Sequence, residues 1–335
     1  MTIKTVQLGR TGPQTSCFGL GAMGMSGIYG PSDRAESIAT VHAALDAGMT
    51  LIDTGDFYGM GHNEMLLAEA LKGVPRDSYQ LSVKFGATRD PAGNWTGNDL
   101  RPASIRNFLA YTLQRLKIDH IDIYRPARMP TGTDVEEAIG TIADLVKEGY
   151  VRHIGLSEVG ADTIRRAARV HPICDLQIEY SLVSRGIEDE ILPTLRDLGI
   201  GVTAYGVLSR GLIGGHWKAA ASAPGDYRAH SPRFQEANVD ANLALVEALR
   251  TVAQGRGISV AQAAIAWVAA QGPDIVPLIG ARTRARLTEA LGAADVVLSA
   301  DDLAAIERAV PKGSASGERY PAFAMATLDS EKRAG

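Results

Sequence analysis

The feature that most restricts how this chain can fold is a repeat: eight short runs rich in Ile, Val and Leu, separated by stretches with helical periodicity. The runs are Cys17–Leu20, Thr50–Asp53, Tyr79–Lys84, His120–Tyr124, Arg152–Ser157, Cys174–Ile178, Gly201–Tyr205 and Asp274–Ile279. Between them the pattern predicts helices over Arg34–Ala47, Asn63–Leu71, Pro102–Leu116, Val135–Glu148, Ala161–Val170, Glu188–Leu198, Asn242–Gln254 and Val260–Ala270, with Thr283–Leu291 after the last run. The runs do not alternate apolar with polar residues, which is the habit of parallel strands buried on both faces. Gly48, Gly149 and Gly199 each fall just past a helical stretch, where a left-handed cap is expected. Ahead of the repeat, KTVQL, a Gly-Arg-Thr-Gly turn and QTS predict a short hairpin. Eight βα units predict an α/β protein, a closed (β/α)8 TIM barrel filling residues 1–335 as a single domain, with a long loop after the seventh strand. A doubly wound sheet is the rival, but no run is followed by a Gly-x-Gly-x-x-Gly that opens a helix. GLGAMG at Gly19–Gly24 runs on into MSGIYGPSD instead.

Composition sets the remaining bounds. The 335 residues, 45% hydrophobic and 21% charged, suffice to fill such a barrel. A formal net charge of −4, with Lys and Arg spread along the chain, gives no pull toward nucleic acid or an anionic membrane, and neither is expected as a partner. The N-terminal MTIKTVQLGRTG has no apolar core of a signal peptide, and no stretch approaches the roughly 18 apolar residues of a membrane span, so a cytoplasmic location is expected. Cys17 and Cys174, far apart and in apolar runs, are expected to be buried free thiols. The seven histidines show no metal-ligand spacing, and no metal is expected.

Chemistry concentrates at the ends of the second and third strands. IDTGDFYG places Asp53 at a strand end and Tyr58 in the following loop, and LSVKFG ends the next strand with Lys84. A phenol ionises near pH 10, and an adjacent ammonium favours the phenolate. Asp53 holding Lys84 charged beside Tyr58 is what proton transfer to or from a carbonyl oxygen needs. In a barrel these three fall on the catalytic face. After the seventh strand, Gly206 to about Asp240 is the longest segment without regular structure, and its YGVLSRGLIGG places Ser209 where an anion can be gripped. After the eighth, Gly280 and Thr283 open a helix beside Arg282, Arg284 and Arg286, a cluster suited to a phosphate monoester.

With these strings in order, IDTGDFYGMGHNE, LSVKFG, IDIY, GYVRHIGLSE, LQIEYSL, AYGVLSRG and IGARTRARL, the sequence resembles the aldo/keto reductase family, in its pyridoxal-reductase-like or a related bacterial branch, over nearly its whole length. The resemblance implies a reversible, NADPH/NADP+-dependent reductase of a small-molecule aldehyde or ketone, a monomer or small homo-oligomer. Tyr58 would be the general acid, with Lys84 lowering its pKa and Asp53 supporting Lys84. Ser157 and Gln177 would hold the nicotinamide carboxamide and Tyr205 would stack on its ring. Leu208, Ser209 and Gly211 would cradle the pyrophosphate, Arg282 and Arg286 would pair with the 2′-phosphate, and Glu289 would face the adenine. Gly21 and Met23 would lie beneath cofactor and substrate.

Three positions depart from the family pattern. Glu158 and Ala290 stand where Asn is usual, and in IDIYRPAR the residue aligned with the carbonyl-donating His is Ala127. Arg125, which shares strand parity with position 127, or else Arg128, would then donate to the carbonyl or fix an anionic group of the substrate. The alternative for Arg125 is a pairing with a carboxylate in the barrel wall. Two other functions fit the same residues: a cofactor-binding regulatory module with little turnover, and an alcohol or sugar dehydrogenase working in the oxidative direction. The tail from Pro311, with Tyr320 and Phe323, either closes over the mouth or is disordered at its polar end.

Overall fold

The computed structural model describes residues 3–217 and 226–332. A hairpin of β1 (Thr5–Gln7) and β2 (Gln14–Ser16) precedes the barrel strands β3 (Gly19–Gly21), β4 (Leu51–Gly55) and β5 (Gln80–Phe85). A second hairpin, β6 (Ala87–Arg89) and β7 (Trp95–Asn98), interrupts the repeat. The barrel continues with β8 (Ile121–Pro126), β9 (Val151–Ser157), β10 (Ile173–Glu179), β11 (Gly201–Tyr205) and β12 (Ile275–Gly280). The eight strands pair in parallel in chain order, and β12 closes on β3 with Gly280 opposite Gly21. The predicted barrel is therefore the observed one.

Helices α1 (Arg34–Asp46), α2 (His62–Ala70), α3 (Pro102–Leu116), α4 (Val135–Lys147), α5 (Ala161–Val170), α6 (Ile191–Leu198), α7 (Glu236–Gly255), α8 (Val260–Ala269) and α9 (Arg284–Leu291) form the outer layer. They bury apolar residues against the outward side chains of the strands, in one continuous core. Gly48, Gly149 and Gly199 have φ of 90°, 87° and 69°, the left-handed conformation expected of them.

Several boundaries differ from the sequence expectation. The sixth helix starts at Ile191, because Gly186–Glu188 is a separate 3-10 turn. The seventh starts at Glu236, six residues early, where Val239 adds a buried residue to its inner face. The β6–β7 hairpin was not foreseen, although Asp90–Asn94 carries its turn chemistry: Asp90 accepts from the Asn94 amide at 2.8 Å and Gly93 has φ 85°. Nor were α10 (Ala300–Ala309), started by a Ser299/Asp302 capping box, and the short α11 (Ala322–Met325). Of the segment expected to be structureless after the seventh strand, residues 218–225 lie outside the described residues, while the flanks form short 3-10 turns. Cys174 is buried and Cys17 only half-buried, both as free thiols. Among the described residues no helix is long and apolar enough to cross a membrane.

The barrel interior is layered. Leu8, at the end of the first hairpin strand, plugs the floor against Leu51, Ile123, Cys174, Val276 and Leu278. Above it the inward positions become polar, with Asp53, Ser82, Arg125, Asp175 and Thr203 all buried. An apolar floor under a polar layer leaves the carboxyl ends of the strands as the place where chemistry is supported.

Candidate active site

Strand register assembles the first pair. Asp53 lies opposite Ser82, and Gly55 opposite Lys84, so Lys84 points inward one layer above Ser82 on the strand beside Asp53. The Lys84 ammonium donates to one Asp53 oxygen, while Ser82 Oγ at 2.8 Å and Gln177 Nε2 at 2.7 Å donate to the other. The carboxylate is thereby fixed by three donors from two strands, β5 and β10.

Tyr58 comes from the loop that follows. Gly59, Met60 and Gly61 all have positive φ, which turns the chain sharply from β4 into α2. A Cβ at Gly61 would lie 2.9 Å from Arg115 Cδ, so this turn requires glycine there. Asn63 pins the loop: its side chain accepts from Thr54 Oγ1 at 2.6 Å and donates to the Ala22 carbonyl at 2.9 Å and Ser26 Oγ at 2.8 Å. Sequence reasoning missed Asn63 and Thr54 as positioning residues. Lys84 Nζ stands 5.1 Å from the centroid of the Tyr58 ring.

The electrostatics correct one expectation. Burial pushes the Tyr58 phenol well above its ordinary value, Asp53, Tyr29 and Tyr320 add to the rise, and only the Arg128 charge opposes them. Lys84 is itself drawn down to about 8 by burial, against the pull of Asp53 and with Arg125 and Arg128 adding to the decrease. Desolvation outweighs the expected lowering of the phenol. Tyr58 is accordingly protonated at neutral pH, the state of a proton donor.

Arg125 requires a second correction. It is fully buried inside the barrel, where Nη2 forms a fork on Asp175 at 2.9 and 2.8 Å and Nη1 donates to Thr203 Oγ1 at 3.3 Å. Gly155 makes the room, since a Cβ there would lie 2.6 Å from Asp175 Oδ1 and 2.8 Å from Arg125 Nε. Nη1 is 3.8 Å from Asp53 Oδ2, so Arg125 supports Asp53 from below. The role of carbonyl donor is not open to a guanidinium held this way. The odd positions of β8 do point inward, as expected, but 125 is a layer too deep. Ala127, buried at the top of the strand, contributes only a methyl group, and Arg128 lies half-buried at the mouth.

The expected cofactor residues line the rest of the mouth. Ser157 Oγ and Ser209 Oγ are buried and have no partner among the described residues, one at the end of β9 and one in the loop after β11. Gln177 also reaches this level, although its amide is engaged with Asp53. Ser209, Arg210 and Gly211 turn the loop with three successive positive φ values, next to a half-buried Leu208. A Cβ built on Gly21 would be in ordinary contact with the Ile279 carbonyl oxygen at 3.7 Å, and one on Gly280 would meet no atom within 4 Å. Met23 begins a 3-10 turn, Met23–Ser26, that the sequence reading did not foresee.

The arginines after β12 separate. Arg284 is paired with Glu36 of α1 at 2.8 Å. Arg282 donates only to the carbonyls of residues 29–31, at 3.0 to 3.5 Å, and has no carboxylate partner among the described residues. Arg286 contacts Glu289 at 3.1 Å, and Glu289 also bonds His216 Nε2 at 2.8 Å, which ties the loop after β11 to α9. Orphaned hydroxyls at Ser157 and Ser209 with a guanidinium at Arg282 make a donor set that fits the amide, pyrophosphate and 2′-phosphate of a nicotinamide dinucleotide.

One cluster had no signal in the sequence beyond the unusual Glu158. Tyr205 donates through its hydroxyl to Glu158 at 2.7 Å and meets the Tyr320 hydroxyl at 2.7 Å. Arg319 forks onto Glu158 at 3.1 and 2.5 Å, and Ser330 Oγ adds a bond at 2.9 Å. Burial alone would raise the Glu158 carboxyl, yet Arg319 and Arg128 hold it down at about 2. The tail thus reaches the mouth at Tyr320, while Phe323 stays exposed.

Known proteins resemble this chain in sequence and fold. The Aldo/keto reductase family pattern matches residues 18–311. Probable aldo-keto reductase 1 of Glycine max is 41% identical over 323 residues, 95% of this chain and 92% of that protein. The structure of a glycerol dehydrogenase from Gluconobacter oxydans superposes with a TM-score of 0.83 at 29% identity, over 92% of this chain and 95% of that one. An aldo-keto reductase from Bacillus halodurans, in its holo form, shares the fold with a TM-score of 0.78 at 23% identity, over 94% of this chain and 98% of that one. From the match of pattern, sequence and barrel together, the chain belongs to the aldo/keto reductase family of oxidoreductases.

Proposed function

We propose that this oxidoreductase reduces an aldehyde or ketone with NADPH, Tyr58 giving the proton to the carbonyl oxygen. The observation that carries the reading is the Tyr58 ring, its centroid 5.1 Å from the ammonium of a buried Lys84–Asp53 pair at the carboxyl ends of β4 and β5. Ser157 and Gln177 hold the carboxamide, Tyr205 backs the ring, Leu208, Ser209 and Gly211 take the pyrophosphate, and Arg282 and Arg286 take the 2′-phosphate. When bound, the nicotinamide supplies the hydride. Lys84 stabilises negative charge as the phenol gives up its proton, and Asp53 keeps the ammonium in place.

The likeness to a glycerol dehydrogenase favours the oxidative direction as a second reading. The same Tyr58 serves that direction too, taking back as a base the proton it gives in reduction. The intact trio opposes a regulatory module, which has no need of a proton relay.

The test is consumption of NADPH across a panel of aldehydes and ketones by wild type and Tyr58→Phe. Loss of one proton donor should cut kcat about 10²- to 10⁴-fold while leaving the Kd for NADPH unchanged. Turnover that survives Tyr58→Phe refutes the proton-donor role, and tight binding with no turnover supports the module. Equal Kd values for NADPH and NADH refute the assignment of Arg282 and Arg286 to the 2′-phosphate.

A further inference from the structure

Most charges around the mouth pair off, but Arg282, which donates only to backbone carbonyls, and Arg128 have no carboxylate partner among the described residues. Lys84 is held by Asp53, and Arg125 by Asp175. Arg210 and Arg233 both lie on Glu179, at 3.1 and 3.5 Å, and Arg319 lies on Glu158 and Glu331. Arg128 forms no salt bridge among the described residues. Its one hydrogen bond runs from Nη1 to the carbonyl of the preceding Ala127, at 2.6 Å. Glu158 is near enough for its charge to act on Arg128, but its oxygens already accept from Arg319, Tyr205, Ser330 and the Glu179 amide.

This cation is also placed and shaped for a ligand. It follows Ala127 at the top of β8, and its charge acts on both Tyr58 and Lys84. Its guanidinium carbon is 6.0 Å from the centroid of Tyr320, which limits its swing. Next to Tyr58 stands Phe57, edge to face at 4.9 Å, and Trp95 of the β6–β7 hairpin stands against Phe57 at 5.5 Å. Arg89 stacks on the far partner, 3.6 Å from the Trp95 centroid. Planar aromatic side chains thus stand beside the proton donor, and a guanidinium with no direct ion pair among the described residues acts on it as well. A half-buried cation that only shares the charge of Glu158 with the Arg319 ion pair gains from a further anion, and the planar fork of Arg matches an oxyanion better than a carbonyl.

Resting on the reductase reading above, we propose that Arg128 is a specificity-determining residue, and that the substrate is an aromatic carbonyl compound carrying an oxyanion, a carboxylate or phosphate, that pairs with it. Arg128 anchors the far end of the molecule and so orients the carbonyl toward Tyr58. The departure at Ala127 fits this division of labour, because a methyl group leaves the Arg128 fork the nearest side-chain donor that β8 and its following residue present.

The test compares 4-carboxybenzaldehyde and 4-formylphenyl phosphate with the uncharged methyl 4-formylbenzoate. Binding is read by calorimetry on the NADP+-loaded protein, and kcat/KM from NADPH consumption. Wild type should bind at least one of the two anions about 10- to 100-fold more tightly than the ester, the range of a charge-assisted hydrogen bond. The gain should appear in KM and shrink as salt is raised. Arg128→Met should abolish the preference, and Arg128→Lys should restore part of it as a point charge without the fork. Circular dichroism checks that both variants fold, and Arg128→Gln replaces Arg128→Met if that one does not. Equal binding of anions and ester by wild type, or a preference that survives Arg128→Met, overturns the proposal. Failure of the reductase reading shows separately, as turnover of the ester that does not depend on Tyr58.

Discussion

Tyr58 and Asp56 sit two residues apart on one loop, and burial raises both, with different consequences. For Tyr58 the result is a phenol raised well above its ordinary value, which in the proposed reaction gives its proton to the developing alkoxide. Asp56 instead faces the packing between α2, α3 and the barrel wall. Burial and the neighbouring Glu64 push its carboxyl up to about 8, with Arg115 opposing. Among the described residues neither Asp56 oxygen has a hydrogen-bond partner, nor do Glu64 Oε1 and the Tyr124 hydroxyl. A carboxyl raised in the fold favours the native state fully below its unfolded value, 3.8, and that contribution is lost as pH rises through about 8. Asp56→Asn is neutral throughout, so its stability relative to wild type should climb between pH 5 and 8 and level off above. Urea unfolding across that range measures this, and a constant difference would show that Asp56 is ionised in the fold.

Single elements owe their placement to contacts far along the chain. The strand end at Glu158, where φ is 53°, is tied to the C-terminal segment through Arg319, through Ser330, and through a bond from the Gly160 amide to Asp329 at 3.0 Å. Glu158→Gln keeps the shape but removes the charge, leaving the buried Arg319 with Glu331 at 2.6 Å and Glu179 at 3.6 Å. Hydrogen exchange should accelerate across residues 319–331 and remain unchanged in β9 and β10. Because Tyr205 then donates to a neutral amide oxygen in place of a carboxylate, the Kd for NADPH should rise in step. Exchange in the tail that matches wild type would show the ion pair to be incidental. The element pattern itself was legible, because parallel strands and amphipathic helices announce themselves by period, and the glycine caps by position. The β6–β7 hairpin escaped because three- and four-residue strands carry no period, and WTGN contains a glycine that strands disfavour.

At the scale of the whole molecule, the barrel carries an ion pair through its centre. Arg125 and Asp175 come from β8 and β10, with Thr203 of β11 bonding Asp175 at 2.6 Å, and all are shielded from solvent. Removing one partner leaves a buried charge, so Arg125→Met should cost about 3–5 kcal/mol. Arg125→Met/Asp175→Leu should recover much of that, as a double-mutant cycle in urea will read; additive losses would mean the pair is not coupled. The chain order of strands, the family strings and the trio Asp53, Tyr58 and Lys84 could all be read from the sequence, because each rests on local period or on spacing within one βα unit. The depth of Arg125, the isolation of Arg128 and the docking of Arg319 on Glu158 could not. They depend on which layer of a closed barrel a side chain enters and which opposite charge meets it there, and in a low-dielectric interior that meeting, not the residue type, decides whether a charge holds the structure together or remains available to a ligand.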